Sequence, residues 1–269
     1  MVLLTKTYSL ETEMENVGAT SILAQAEPGK EPEDRTIFEK YAQPCLAELM
    51  GSTLFVAAAC LSVITNPEGA GPMGPALAHG FSLGIMVAVL GKISGGHFNP
   101  AVTLAALAAG GLSPLLLLPY WLCQLSGGML GALLAKCGEQ SMVPEAIFFN
   151  RTGGGCMVQD GSTVGMAVCA ELTLSFLLLL AVLMGSLAEH SKTPLAPFCI
   201  GFALATGILV SGSISGSCLN PARAFGPALI STHWDNHWVY WIGPLTSAVL
   251  ASVLYRIVLA GRSHRLFLK

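Results

Sequence analysis

Long apolar runs alternate along the chain with short polar connections, and the runs have the length of membrane spans. A helix needs about 20 mostly apolar residues to cross a bilayer, with a range of about 17–25. Six stretches meet that requirement: 44–64, 74–92, 114–136, 163–185, 195–211 and 237–259. Two shorter apolar stretches, 99–109 and 220–230, have about 11 residues each, enough for roughly half a bilayer at 1.5 Å per residue. Both open on the same tripeptide, Asn99-Pro100-Ala101 and Asn220-Pro221-Ala222, 121 residues apart. Each follows a Ser-Gly dipeptide at the same spacing, Ser94-Gly95 and Ser215-Gly216.

The duplication extends further. Ala47-Glu48-Leu49 matches Ala170-Glu171-Leu172, Gly80-Phe81 matches Gly201-Phe202, and Tyr120-Trp121 matches Tyr240-Trp241. Matching interrupted hydrophobic segments in two halves mark inverted-repeat membrane proteins, and they place the working site where the halves meet. Three spans per repeat is an odd number, so the second repeat is inverted and the two short helices enter from opposite faces. The predicted fold is an all-α membrane protein of six transmembrane helices plus two re-entrant half-helices. Repeat 1 covers about 43–137 and repeat 2 about 162–260, within a channel domain 43–260 between tails 1–42 and 261–269.

Composition agrees with this pattern. Only 11% of residues are charged, against about 25% in soluble domains. A net charge of −3 gives no electrostatic support for nucleic-acid binding. The N-terminal segment is polar and acidic, lacks a signal-peptide pattern, and reads as a disordered cytoplasmic tail. Lys40, Lys92, Lys192, Arg256, Arg262, Arg265 and Lys269 fall on one side of the predicted topology, and Lys136 and Arg151 on the other. The excess of basic residues predicts cytoplasmic termini, in the plasma membrane or, alternatively, an intracellular one such as the inner mitochondrial membrane. Asn150-Arg151-Thr152 is then a candidate glycosylation sequon in an outward loop. Of eight cysteines, Cys60, Cys123, Cys169 and Cys199 lie in apolar runs and no CxxC pair occurs. They read as small core hydrophobes, with no metal site and no cofactor.

Asn-Pro-Ala is a helix start. Asn caps, its oxygen accepting an orphan backbone N–H, and Pro suits the first helical position. The Asn amides remain as neutral donors, and both half-helix dipoles point their positive ends at the midplane, disfavouring cations there. The non-helical backbone before each Asn must be buried or line a cavity. Carbonyls of Gly95, Gly96 and His97 (through Phe98), and of Gly216, Ser217 and Cys218 (through Leu219), are expected to form acceptor ladders orienting a file of water. Glu48 and Glu171 are acids inside spans. A proton relay is one reading; a structural acceptor for each re-entrant loop is the preferred one. Arg223 breaks the repeat symmetry, since its counterpart is Val102. It is expected to repel cations at the outer side of the pore.

These motifs resemble the aquaporin (major intrinsic protein) family over about 43–259, the second extended to Asn220-Pro221-Ala222-Arg223. The resemblance implies a homotetramer with one pore per subunit and an aromatic/arginine filter, here His79, Ile208, Ser217 and Arg223. Leu77-Ala78-His79-Gly80, Ile208 and Gly95-Gly96-His97-Phe98-Asn99 are most similar to the aquaporin-8 branch. That branch is associated with water, ammonia and hydrogen peroxide, with urea a further candidate. The branch usually has Gly at position 217, and Ser217 narrows the site. A passive, non-enzymatic channel for water and small neutral solutes is expected, excluding protons and ions and surrounded by membrane lipid. The alternatives are an inverted-repeat secondary transporter, for which no lumen-facing carboxylate pair is evident, and an intramembrane enzyme built on His79. Cys218 is expected to border the pore and bind mercurials. Cys60 is a candidate redox thiol beside the outer vestibule.

Overall fold

Every predicted span is helical in the computed structural model, which describes residues 36–139, 145–261 and 265–266. The expected tails lie outside the described residues over 1–35, 262–264 and 267–269, Arg262 and Lys269 included. The helices are α1 (Gln43–Ile64), α2 (Met73–Ser94), α3 (Pro100–Ala109), α4 (Leu117–Glu139), α5 (Glu145–Asn150), α6 (Val164–Val182), α7 (Ala196–Ser211), α8 (Pro221–Ser231) and α9 (Val239–Leu254).

Two boundaries differ from expectation. A π-helical turn, Phe38–Ala42, leads into α1, so the helix reaches five residues into the segment expected as tail. Pro44 lacks an N–H to donate to the preceding turn, and the wider turn accommodates that gap. The fifth predicted span is the other. Among the described residues five helices are long and apolar enough to cross a membrane, whereas α7 has 16 residues, about 24 Å. Its place is fixed by packing, since it lies along α2, its longer repeat counterpart.

The packing follows the duplication. α1 packs on α4 as α6 packs on α9; α4 supports α8 as α9 supports α3; α1 meets α2 as α6 meets α7. α2 and α7 cross at the repeat-equivalent glycines Gly80 and Gly201. A Cβ on Gly80 would lie 2.6 Å from the Gly201 carbonyl oxygen, and one on Gly201 would strike the Gly80 carbonyl. Without a hydrophobic drive between helices in lipid, such close contact holds them together. Outward, Leu77, Phe81, Ile85 and Val89 form an exposed stripe along α2, and Trp234 and Trp238 are exposed ahead of α9. The stripe suits lipid, and the tryptophans suit the headgroup level.

The cysteine expectation fails in part. Only Cys60 of the four in apolar runs is buried; Cys123 is half-buried and Cys169 and Cys199 are exposed. A lipid-facing surface is as apolar as a core, so hydropathy cannot separate the two. Cys156 and Cys218 form a disulfide, 62 residues apart in sequence.

Candidate pore and selectivity filter

The two re-entrant loops are built alike, and their conformations repeat. Gly95, Gly96 and Phe98 have φ of 92°, 66° and 50°; Gly216, Ser217 and Leu219 have 78°, 50° and 56°. Phe98, Ser217 and Leu219 are thus held in left-handed backbone, a state that costs L-residues about 1–2 kcal/mol. Strain of this kind persists only where surroundings over-determine it. Here the surroundings are the two buried glutamates. Glu48 accepts from Ser94 Oγ (2.6 Å), His97 N (2.9 Å) and Phe98 N (2.6 Å). Glu171 accepts from Ser215 Oγ (2.7 Å), Cys218 N (2.8 Å) and Leu219 N (2.7 Å). Each carboxylate therefore binds the orphan donors of its own loop. A tyrosine closes each loop from the other side: Tyr120 Oη donates to Ser94 O (2.8 Å) and Tyr240 Oη to Ser215 O (2.9 Å).

The halves meet at the asparagines. Asn99 Oδ1 accepts from Ala101 N (2.9 Å), and Asn220 Oδ1 from Ala222 N (2.9 Å) and Arg223 N (3.3 Å). Their amides cross reciprocally: Asn99 Nδ2 donates to Leu219 O (2.9 Å) and Asn220 Nδ2 to Phe98 O (2.8 Å). One amide N–H of each Asn is thereby used, and one remains. The Phe98 and Leu219 carbonyls thus each accept one protein N–H and keep a second lone pair. Among the described residues no donor reaches the carbonyls of Gly95, Gly96, His97, Gly216, Ser217 or Cys218. A small cavity is lined by Phe55, Leu83, Gly96, His97, Val102, Leu178, Val182, Ile200 and Leu204 together with Asn99 and Asn220.

Of the four residues expected at a filter, His79 and Arg223 touch. Arg223 Nε lies 3.3 Å from His79 Nε2, and His79 Nδ1 lies 2.7 Å from Pro75 O. Guanidinium only donates and a carbonyl only accepts, so the ring is neutral with its proton on Nδ1. Both imidazole nitrogens are occupied by protein. His79 therefore orients Arg223, and neither ring nitrogen is free of a protein partner. Arg223 Nη2 donates to Gly154 O (2.7 Å). Among the buried polar atoms without a hydrogen-bond partner in the described residues are two from this cluster, Arg223 Nη1 and Ser217 Oγ. Ser217 Oγ sits 3.2 Å from where a Cβ on Gly207 would be, which places it against the α7 residue preceding Ile208. Ile208 is buried and supplies an apolar side chain next to that contact.

Sequence reasoning missed several contributors. Gln124 Nε2 donates to Glu48 Oε2 (2.8 Å) and to Thr103 Oγ1 (2.7 Å). Nothing in the second repeat matches it, because Pro244 stands at the equivalent place. The Tyr120/Tyr240 match was visible, but its role was not. Gly154 and Cys156 carried no readable signal. Arg151, counted only as an outward charge, donates to Val63 O (3.2 Å) and Asn66 O (2.7 Å) at the end of α1. Asn150 is exposed at the end of α5.

Cys218 and Cys60 need correction. The Cys218 thiol is consumed by the disulfide with Cys156, so it has no proton for a mercurial to replace. Cys60 is fully buried; a Cβ on Gly154 would lie 2.7 Å from its Cα and 2.5 Å from its carbonyl oxygen. It lies beneath the connection that supports Arg223, not at an open vestibule.

Paired half-helices capped by Asn, joined across an inverted repeat and flanked by a buried Arg, define a membrane channel of the aquaporin fold. The Major intrinsic protein family model matches residues 37–255, and the chain belongs to that family. It is 50% identical to Aquaporin-8 of Mus musculus over 233 residues, covering 86% of this chain and 88% of that protein. Aquaporin TIP1-2 of Musa acuminata is 36% identical over 229 residues, 81% of this chain and 87% of its own length. Among solved structures, the aquaglyceroporin from Plasmodium falciparum superposes with a TM-score of 0.70 at 20% identity, covering 81% of this chain and 97% of that one. This last likeness concerns the fold.

Proposed function

We propose that the chain is a passive channel for water and small neutral solutes, ammonia and hydrogen peroxide among them, that excludes protons and ions. The observation that carries this reading is the pair of unpartnered polar atoms at the filter, Arg223 Nη1 and Ser217 Oγ. A buried donor left unmade costs about 1–3 kcal/mol, and a permeating molecule that brings an acceptor relieves that cost in passing. Asn amides at the midplane and open carbonyls on either side repeat the arrangement along the path. Ile208 leaves one wall without hydrogen bonds, which suits a small molecule with few polar groups. In the proposed assembly four copies each carry their own pore, both termini are cytoplasmic, and the plasma membrane holds the protein. The 145–162 connection then faces outward, where a disulfide persists and Asn150 meets the glycosylation machinery.

Stopped-flow comparison of water, ammonia, peroxide and urea in proteoliposomes tests the solute range. His79→Phe is expected to reduce ammonia and peroxide flux more than water flux. It removes the acceptor that orients Arg223 and adds ring bulk. An equal loss of all three contradicts this role.

Ser217→Gly makes a separate prediction. Gly adopts a φ of 50° without the penalty borne by Ser. About 1 kcal/mol of stabilisation is expected, a rise of about 2–4 °C in the unfolding midpoint. Loss of the hydroxyl also widens the filter, so urea flux rises relative to water. A lower midpoint with unchanged urea flux goes against both parts.

A further inference from the structure

The connection between α5 and α6 is fastened to the second re-entrant loop along its length. Gly154 O accepts from Arg223 Nη2 (2.7 Å), and Gln159 N donates to Ile214 O (3.0 Å). Between these ties, Cys156 is joined to Cys218. At Gly216 a Cβ would meet Met157 N at 3.2 Å and Cys156 Cα at 3.3 Å, so the two backbones run in contact. The repeat supplies an internal comparison. The position equivalent to Cys218 is His97, whose ring is held without a covalent bond: Nδ1 lies 3.2 Å from Thr103 Oγ1, and the ring meets Tyr120 edge-on at 5.5 Å. The covalent tie thus occurs in the repeat that carries Arg223, and its counterpart in the repeat that carries Val102 is polar packing. Only Gly155 separates Cys156 from the residue whose carbonyl holds the guanidinium.

We propose that the Cys156–Cys218 disulfide is a positioning clamp for the filter. It holds Gly154 O against Arg223, and it keeps Cys218 from reacting with mercurials while it is intact. This inference rests on the channel reading above. Reduction by a phosphine breaks the S–S bond. Phosphorus attacks one sulfur, the other leaves as a thiolate that takes up a proton, and water converts the thiophosphonium to phosphine oxide and the second thiol. A mercurial chloride then forms an S–Hg bond at Cys218 and releases a proton and chloride. The added bulk lies between the two loops, where it displaces the filter.

The test uses full-length protein in proteoliposomes. Wild type, Cys156→Ser and the double variant Cys156→Ser/Cys218→Ser are treated with a mercurial sulfonate, with and without prior phosphine. Water flux, the urea-to-water permeability ratio and the mass of the Cys218 peptide are read. Wild type should lose less than a fifth of its water flux before reduction and at least half after it, with a mercury adduct on Cys218 appearing only then. Cys156→Ser should be blocked without reductant, and the double variant should resist in both conditions. Cys156→Ser, or phosphine alone on wild type, should also change the urea-to-water ratio at least twofold, which a tie serving stability alone does not do. If Cys156→Ser does not fold, the phosphine arm on wild type carries the same comparison. A Cys218 adduct on unreduced wild type overturns the clamp, and so does an unchanged ratio after reduction. Absence of water flux in untreated wild type is a different failure: it removes the channel reading and leaves the peptide masses to report the disulfide.

Discussion

Glu171→Leu is expected to eliminate both folded protein and water flux, and Glu171→Gln to retain a fraction of each. The carboxylate accepts from Ser215 Oγ, Cys218 N and Leu219 N, and Glu171 is fully buried. Leucine strands all three donors, at about 1–3 kcal/mol each. That sum is comparable with the entire stability of a typical fold, about 5–15 kcal/mol. It also releases the left-handed backbone at Ser217 and Leu219, which nothing else holds as directly. Glutamine keeps one acceptor oxygen for Ser215 and Cys218, but it turns an amide N–H toward the Leu219 N–H. Size-exclusion profiles in detergent and stopped-flow water flux report the outcome. Were Glu171 a proton relay, both variants would fold well and differ only in the pH dependence of transport. Glu48→Leu should behave similarly, softened by the Gln124 side-chain carbonyl, which has no hydrogen-bond partner among the described residues and can turn to accept from the loop.

Arg223→Val has the second large expected effect: a proton or cation leak with water flux preserved. Valine is what the first repeat already carries at the equivalent place, Val102, so the backbone of α8 tolerates it. The substitution removes the one fixed positive charge at the filter, leaving the two half-helix dipoles as the remaining barrier. It also strands Gly154 O and His79 Nε2, the two acceptors now engaged by Arg223. Those acceptors attract cations once the guanidinium is gone. Proton influx under an imposed pH gradient, read with a trapped dye, checks the prediction. Tight vesicles with Arg223→Val and normal water flux would falsify the assignment of charge exclusion to this residue.

The sequence revealed the architecture because duplication and hydropathy are written in residue order. Asn99 and Asn220 gave the meeting point, Glu48 and Glu171 the loop supports, and the run lengths gave the six spans and two half-helices to within a few residues, whereas the short α5 was not foreseen. The contributions of the long connection were hidden for a physical reason. Gly154 acts through its backbone carbonyl, and a carbonyl leaves no trace in residue identity. Cys156 pairs across 62 residues of sequence, and its partner sits in a loop whose period is neither helix nor strand. His79 was recognised by position, but its tautomer depends on Pro75 O and Arg223 Nε, contacts that only the packed helices create. Cys169 and Cys199 were misplaced because lipid and core select the same side chains.

The central claim is passive conduction through the path between Asn99 and Asn220. Water permeability of proteoliposomes, followed by stopped-flow light scattering over a range of temperatures and osmotic gradients, tests it most directly. The account predicts flux far above that of empty vesicles, weakly dependent on temperature, linear in the gradient and unaccompanied by charge movement. Flux that saturates, rises steeply with temperature or requires an ion gradient would contradict it and favour a coupled transporter.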